Sequence, residues 1–245
     1  MCTIVVTKGI KLSHIIQLFH SLNAMIDERH ELRTVGEFIA ALNRKLNPNP
    51  SPKTPKILYV DYLRVHLPTA VGPCEVYISY EGTGLFCNTI DTLRHHFQRN
   101  PDIFVCIDNI THRAPSTGDE TDSSLLVDRF EDDIKQIGHV VVVMSPWNNL
   151  RIFRHTAMLF EIYCAIKYGC KFEIALSETD RKELVTAVAN GVFDEMVEGL
   201  VQINSLKGIA KEDISYDIAN SSVSNAVRDC LIAQSTAGGG INQLF

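Results

Sequence analysis

The sequence predicts an α/β protein with a flavodoxin-like, three-layer architecture: a parallel sheet of about four to five strands lies between two layers of helices, with helical extensions at both ends. Two observations predict it. From residue 74 onward, short apolar segments alternate with longer segments whose apolar residues recur at helical spacing. The clearest short segment, strand 139–144, has five consecutive apolar residues from Val140 to Met144, which is typical of a parallel strand buried on both faces.

The composition is that of a folded intracellular protein. The chain has 245 residues, of which 45% are hydrophobic and 21% charged, and its net charge of −6 argues against a nucleic-acid partner. Its seven cysteines include no CxxC pair, so we expect free thiols in a reducing compartment rather than disulfides or a metal site. No apolar run approaches 18 residues, which predicts a cytoplasmic protein without membrane insertion.

The first predicted region is a helical N-terminal extension, residues 1–70. Apolar residues at helical spacing cover residues 10–26. A second helix is expected over residues 34–46, where Thr34 and Glu37 have the spacing of a capping box.

Four further segments lie before and after the core. Residues 47–55 contain four prolines and predict a linker or an exposed loop. Residues 56–67 fit either a helix or a strand, because their apolar positions do not settle the period. After the core, residues 179–235 are predicted to form a C-terminal helical extension, and residues 236–245 a flexible tail.

The α/β core itself is predicted over residues 71–178. The expected strands and helices alternate in the order strand 75–80, helix 85–98, strand 103–108, helix 124–137, strand 139–144, a helix that carries Glu161, and strand 171–176. Ligands of open parallel sheets bind beyond the carboxyl ends of the strands. The candidate binding residues at that edge are Ser79, Tyr80, Gly82, Gly84, Asp108, Trp147 and Asn148.

Three of these candidates have a structural alternative. The turn that contains Gly82 and Gly84 follows a strand and could hold a phosphate, but the full dinucleotide-binding pattern is absent, so the glycines also fit simple loop geometry. Trp147, the only tryptophan, could line the crevice or plug its turn against the next helix.

Glu161 is the candidate catalytic residue. Its neighbours at helical spacing are Ala157, Met158, Cys164 and Ala165, so no cation on its own helix can pair with it. An ionised carboxylate in apolar surroundings is costly unless other groups compensate, and such groups often have a chemical role. The alternative is a structural salt bridge to an arginine from another segment.

These segments together resemble a TIR (Toll/interleukin-1 receptor) domain, of the divergent kind found N-terminal to NTPase and tetratricopeptide modules. The likeness covers residues 71–235. Residues 76–82 (VYISYEG) stand where the family has its first conserved box, and residues 103–113 (IFVCIDNITHR) match the second strand and its loop. The most specific part is residues 134–176, with Ser-Pro-Trp after a strand and Leu-Phe-Glu-Ile in the following helix.

The resemblance implies an activity. Enzymatic TIR domains cleave the nicotinamide–ribose bond of NAD, and their essential glutamate matches Glu161 here. NAD would then be a substrate, with no resident cofactor and no metal. The resemblance also implies intracellular signalling or immunity and self-association through TIR-like surfaces. Other TIR proteins or helical signalling proteins are further possible partners.

Two other classes of function fit the same residues. A TIR-like domain without catalysis would be an interaction or adaptor module. A third possibility is a protein that binds a nucleotide signal in the same crevice without cleaving it.

Overall fold

The structure, a computed structural model, describes residues 7–24, 34–46, 59–81, 85–111, 123–148, 156–192, 223 and 225–233, without the side chains of residues 108, 109, 123–129 and 156. Its elements in chain order are β1 (Lys8–Lys11), α1 (Leu12–Ala24), α2 (Val35–Leu46), α3 (Tyr59–His66), a 3-10 turn (Pro68–Ala70), β2 (Val71–Pro73), β3 (Val76–Ser79), α4 (Phe86–His96), β4 (Phe104–Ile107), α5 (Asp108–Thr111), α6 (Ser123–Ile137), β5 (His139–Val143), α7 (Thr156–Lys167), β6 (Lys171–Ala175) and α8 (Glu178–Ala189). Residues 225–233 are also helical.

The described strands form one six-stranded sheet in the order β2-β1-β4-β3-β5-β6. The four predicted strands, β3 to β6, run parallel, which confirms the α/β class and the parallel core. The expected number of four to five strands is too low. Strands β1 and β2 extend the sheet beyond β4, and β1 runs antiparallel to both β4 and β2. This open, mostly parallel sheet is compatible with a flavodoxin-like architecture.

Strand β1 lies in a segment for which the sequence predicted helix. Ile10 pairs with Val71 on one side and with Val105 on the other. A Cβ on Gly9 would lie 3.1 Å from backbone atoms of neighbouring segments, so a larger residue there would require these segments to move by a few tenths of an ångström. Residues 8–24 therefore share the main sheet and its core, whereas the prediction placed them in a helical extension.

Each face of the sheet carries its own core. The first core cluster lies with α1 to α4 and includes Ile10, Phe38, Ile78 and Phe86. The second lies with α6, α7, α8 and the helical residues 225–231. Because successive strand residues point to opposite faces, Ile78 joins the first cluster while Tyr77 joins the second. Two helical layers thus enclose the sheet, as the sequence predicted.

The helix ends test several expectations directly. The capping box is confirmed, since the Thr34 amide donates to Glu37 (2.8 Å) and the Glu37 amide donates to the Thr34 hydroxyl (3.2 Å). Residues 59–66 form a helix, which resolves the ambiguity over that segment. Helix α8 ends at Ala189 and is followed by Gly191 with φ +70°, so the C-terminal region is not one continuous helix.

Some predictions lie outside the described residues. They include the linker 47–55, the tail 236–245 and the part of the C-terminal extension between residues 193 and 222. The six described cysteines, at positions 74, 87, 106, 164, 170 and 230, are free thiols. No helix among the described residues is long and apolar enough to cross a membrane.

A polar cluster joins α4 to β5 and β6. Oε2 of Glu173 lies 2.7 Å from Nε2 of His139, 3.7 Å from Nε2 of His96 and 3.2 Å from Nζ of Lys171. Burial lowers the pKa of both histidines below 6.5, although Glu173 acts in the opposite direction. Burial raises the pKa of Glu173, but its hydrogen bonds with His139 and Lys171 outweigh this effect and leave the pKa lowered.

We expect the free energy of unfolding to fall as pH drops below about 6.5, the histidine pKa of the unfolded chain. In that range the unfolded state takes up protons that the buried histidines of the folded state do not. Urea titrations between pH 7.5 and 5 measure the slope.

In the double variant His96→Gln/His139→Gln, the unfolding free energy should fall less steeply with decreasing pH. Part of the pH dependence should remain, because burial also lowers the pKa of His14. The control is His20→Gln, at an exposed position. An unchanged slope in the double variant contradicts the assignment.

Candidate functional site

Glu161 lies on α7 with its carboxylate facing the sheet. The residue is only 8% exposed. Tyr77 Oη donates a hydrogen bond to its Oε1 at 2.9 Å, and Ser79 Oγ donates to its Oε2 at 2.5 Å. Hydroxyl donors suit an ionised carboxylate, which can only accept hydrogen bonds. The distance from Ser79 is in the range of a charge-assisted O–H···O⁻ bond.

The local sequence explains why the three side chains meet. Tyr77 and Ser79 are two residues apart on β3, so both side chains point to the face that α7 covers. Helix α7 turns its buried residues Met158, Ile162 and Ala165 toward the same core cluster. Glu161 lies beside this apolar stripe, and the two hydroxyls provide polar contacts for its carboxylate.

The chain topology places this carboxylate at the ligand-binding edge of the sheet. Ser79 is the last residue of β3. The connection after β3 leads to α4 in the first helical layer and on to β4. The connection after β4 leads to α6 in the second layer and on to β5, on the opposite side of β3. Such a reversal of winding direction marks the crevice in which open α/β sheets bind ligands.

Asp180 fixes the Ser-Pro-Trp turn at the same edge. Its Oδ2 accepts hydrogen bonds from Ser145 Oγ (2.7 Å) and Ser177 Oγ (2.5 Å), and its Oδ1 accepts one from the Trp147 amide (2.9 Å). The Ser145–Pro146 peptide is cis. The carboxylate is 5% exposed, so it ties the end of β5 to the start of α8 within the protein interior.

Trp147 is 4% exposed and belongs to the second core cluster. Its indole thus packs within the protein, as the structural alternative expected. However, its Nε1 is buried without a hydrogen-bond partner among the described residues. A buried N–H without an acceptor costs about 1–3 kcal/mol, so an acceptor from a ligand or water would stabilise this position.

The other candidate residues are not all close to Glu161. Tyr80 is half-buried and packs against the first core cluster, with its ring 6.2 Å from that of Phe86. It therefore lies on the opposite face of β3. Asn148 is exposed, and Asp108 is the first residue of α5, with its side chain outside the description. Gly82 and Gly84 lie outside the described residues.

Other chemistry near the carboxylate can be judged from its neighbours. Burial, followed by the charge of Glu131, raises the pKa of Cys164 to about 12, so this residue is a neutral thiol at pH 7 and a poor nucleophile. No group of three His, Cys, Asp or Glu side chains among the described residues could hold a metal ion. Glu161 is thus the group whose position suits electrostatic stabilisation of a cation.

The chain was compared with protein-family models, curated proteins and solved structures. No match was found in any of the three. The TIR resemblance accordingly rests on the residues of the chain alone.

Two residues of the site were missed by the sequence analysis. Tyr77 reads as an ordinary apolar strand residue, and only its spacing of two from Ser79 could have indicated that both hydroxyls share a face. In the sequence, Asp180 is one of the acids in the first turn after Ser177, a residue type that favours the N-cap position. Ser177 is indeed the N-cap of α8, since its Oγ accepts from the Asp180 amide at 3.0 Å. The contacts of the Asp180 carboxylate with Ser145 and Trp147 could not be foreseen from local sequence.

We expect Asp180→Asn to destabilise the protein by about 1.5–3 kcal/mol, the range for hydrogen bonds to a charged group. Asparagine has one acceptor oxygen instead of two and carries no charge. It therefore cannot replace the carboxylate as the acceptor of the hydrogen bonds from Ser145, Ser177 and the Trp147 amide. Chemical denaturation measures the stability, and the fluorescence of the single tryptophan reports the turn, with an expected shift to longer wavelength.

Glu178→Gln is the matched control, because Glu178 is an exposed acid in the same helical turn. Equal stability and equal emission of the two variants would argue against the role of Asp180 in holding the turn.

Proposed function

We propose that the protein is a TIR-like enzyme that cleaves the nicotinamide–ribose bond of NAD, with Glu161 as the catalytic carboxylate. The observation that carries this proposal is a buried carboxylate, held by two hydroxyls at the carboxyl end of β3. The residue pattern around Glu161 adds the family resemblance. Both point to the same side chain, one from its surroundings and the other from the sequence.

The reaction requires little from the protein beyond charge stabilisation. The bond between C1′ of the ribose and the pyridinium nitrogen breaks, and its electron pair goes to the nitrogen. Nicotinamide therefore leaves as a neutral molecule and needs no general acid. The ribose becomes oxocarbenium-like, and a nearby carboxylate stabilises that charge as the second carboxylate of a glycosidase does. With water as the nucleophile, the products are ADP-ribose and a proton.

Tyr77 and Ser79 would act as positioning residues. They fix the Glu161 carboxylate in one orientation, so little reorganisation is needed when positive charge develops on the ribose. A carboxylate has about four lone-pair sites, and the hydroxyls of Tyr77 and Ser79 occupy one on each oxygen. Burial strengthens the attraction because the local dielectric constant is lower than that of water.

Self-association belongs to the same proposal, because active sites in TIR enzymes are often completed by a neighbouring protomer. The assay therefore has to use protein whose assembly state is known.

One observation favours a second candidate, a TIR-like interaction module without catalysis. Each oxygen of Glu161 already has a hydroxyl partner within the chain. The carboxylate could therefore serve only to join α7 to β3, and the fold would display its surfaces to partners. A nucleotide-signal binder would use the same crevice without cleavage.

The first test is Glu161→Gln in an NAD cleavage assay with nicotinamide quantified by chromatography. We expect wild-type protein at high concentration to release nicotinamide, and the variant to be slower by about 10²–10³-fold, as for the loss of one electrostatic stabiliser of a transition state. Glutamine keeps the shape and removes the charge.

Glu183→Gln, an exposed glutamate on α8, is the control and should match wild type. Absence of nicotinamide release from assembled wild-type protein would rule out catalysis and leave the binding roles. Activity of Glu161→Gln equal to wild type would remove Glu161 from the mechanism.

The second test asks whether the Tyr77 hydroxyl positions Glu161 for catalysis or only stabilises the fold. Tyr77→Phe removes one hydroxyl donor and leaves part of a buried carboxylate without its partner, which should cost about 1–3 kcal/mol of unfolding free energy. If the hydroxyl positions Glu161 for catalysis, kcat should fall by about tenfold while KM changes little, as expected for an interaction that matters mainly in the transition state.

A loss of stability with unchanged kcat would show that the Tyr77 hydroxyl only stabilises the fold. Thermal unfolding and steady-state kinetics of the same preparation give both quantities. Tyr163→Phe, at a half-buried tyrosine on α7, is the matched control.

A further inference from the structure

A cavity of about 550 Å³ lies among α1, α2 and α3. These helices cover the first core cluster, so the cavity is on the opposite face of the sheet from Glu161. Its volume falls in the range of small-molecule sites, roughly 300–1,000 Å³. The buried side chains of Leu18, Leu42 and Leu63 contribute apolar surface to its lining.

A stripe of aromatic rings forms another part of the lining. Tyr59, Tyr62 and His66 follow one another along one side of α3, and His14 joins them from α1. The ring planes of His14 and Tyr59 are 16° apart and those of Tyr59 and Tyr62 are 12° apart. Such a stripe presents flat, polarisable surface to a planar ligand.

Part of this apolar surface is open to solvent. Tyr62 is 37% exposed and Leu67 is 41% exposed, and both residues line the cavity. Covering exposed apolar surface contributes about 25 cal/mol per Å², so a ligand with an apolar body would gain binding free energy here.

The charged side chains that line the cavity determine whether it favours an anionic or a cationic ligand. None of the described residues that line the cavity is acidic. Lys45 at the rim is exposed and has no ion-pair partner among the described residues. Burial lowers the pKa of His14 and raises that of Tyr59 to about 12, so these two hydrogen-bonded groups are neutral at pH 7. Among the described residues of the lining, Lys45 therefore carries the permanent charge that a ligand would meet.

We propose that this cavity binds a small aromatic anion, a planar ring system with a carboxylate, sulfonate or phosphate group, whose ring packs on the Tyr62 side and whose anionic group pairs with Lys45. The site is separate from Glu161 and does not depend on the function proposed for that residue. The ring stripe provides affinity for the apolar body, and Lys45 discriminates against neutral and cationic analogues.

The test uses 2-naphthoate as the probe and isothermal titration calorimetry on the full chain. We expect one saturable site. Tyr62→Ala should weaken binding by up to about tenfold, because it removes an aromatic contact, and Lys45→Met by about three- to fivefold, because it removes an exposed counter-charge. Neutral 2-naphthamide should bind about three- to fivefold more weakly than the anion, and added salt should reduce that difference.

Lys182→Met is the matched control, since Lys182 is an exposed lysine on α8, away from the lining of the cavity. The altered side chains are exposed, so loss of fold is not expected, and circular dichroism checks it. Absence of saturable binding, equal affinity for the amide, or wild-type affinity in either cavity variant would overturn the proposal. Binding weakened in both cavity variants and unchanged in Lys182→Met would support it.

Discussion

Burying an ionised carboxylate between a helix and a strand imposes a constraint on both elements. Transfer of such a group from water is costly, so its position must come with donors that replace the lost hydration. Here the donors are hydroxyls of β3, and they reach Glu161 only because Tyr77 and Ser79 share one face of that strand. The register of β3 and the rotation of α7 about its axis are thereby fixed together. A one-residue slip of the strand would turn both hydroxyls toward the other core.

A second buried carboxylate follows the same logic at the neighbouring strands. Asp180 accepts hydrogen bonds from the turn after β5 and from the N-cap of its own helix. Its position in the first turn of α8 adds the favourable dipole of a helix N-terminus. Glu161 thus joins α7 to β3, and Asp180 joins α8 to the turn after β5. The two carboxylates also differ in position, because Glu161 lies beside the point at which a sheet of this topology binds ligands.

How much of this could be read from sequence depends on the range of the interactions. The strands β3 to β6 were predicted because their apolar residues occur at consecutive or alternate positions, which is local information. Glu161 stood out because its own helix offers no partner. Its actual partners lie more than eighty positions earlier, and no spacing rule links them to it. The same applies to Asp133, which reads as an exposed helix residue but is 8% exposed and accepts a hydrogen bond from Thr7.

Strand β1 was missed by the sequence-based prediction for a different reason. Four residues, Lys-Gly-Ile-Lys, contain one apolar side chain and a glycine, so neither period nor propensity indicates a strand. Its existence depends on two neighbours that come much later in the chain. Tyr80 shows the complementary limit: it follows Ser79 directly, yet strand alternation sends its ring to the opposite core. Proximity in sequence to a site is therefore not proximity in space.

The position of β1 also affects how the chain reaches its folded state. The strand emerges from the ribosome well before its two neighbours, whose pairing residues are at positions 71–73 and 104–105. Until both have been synthesised, β1 has no ladder to join, and closing these long loops carries an entropic cost. In any molecule in which β1 detaches, the backbone groups of β4 that it covers become an open edge that another chain can pair with. By pairing with β4, this short strand covers an edge at which chains could otherwise associate incorrectly.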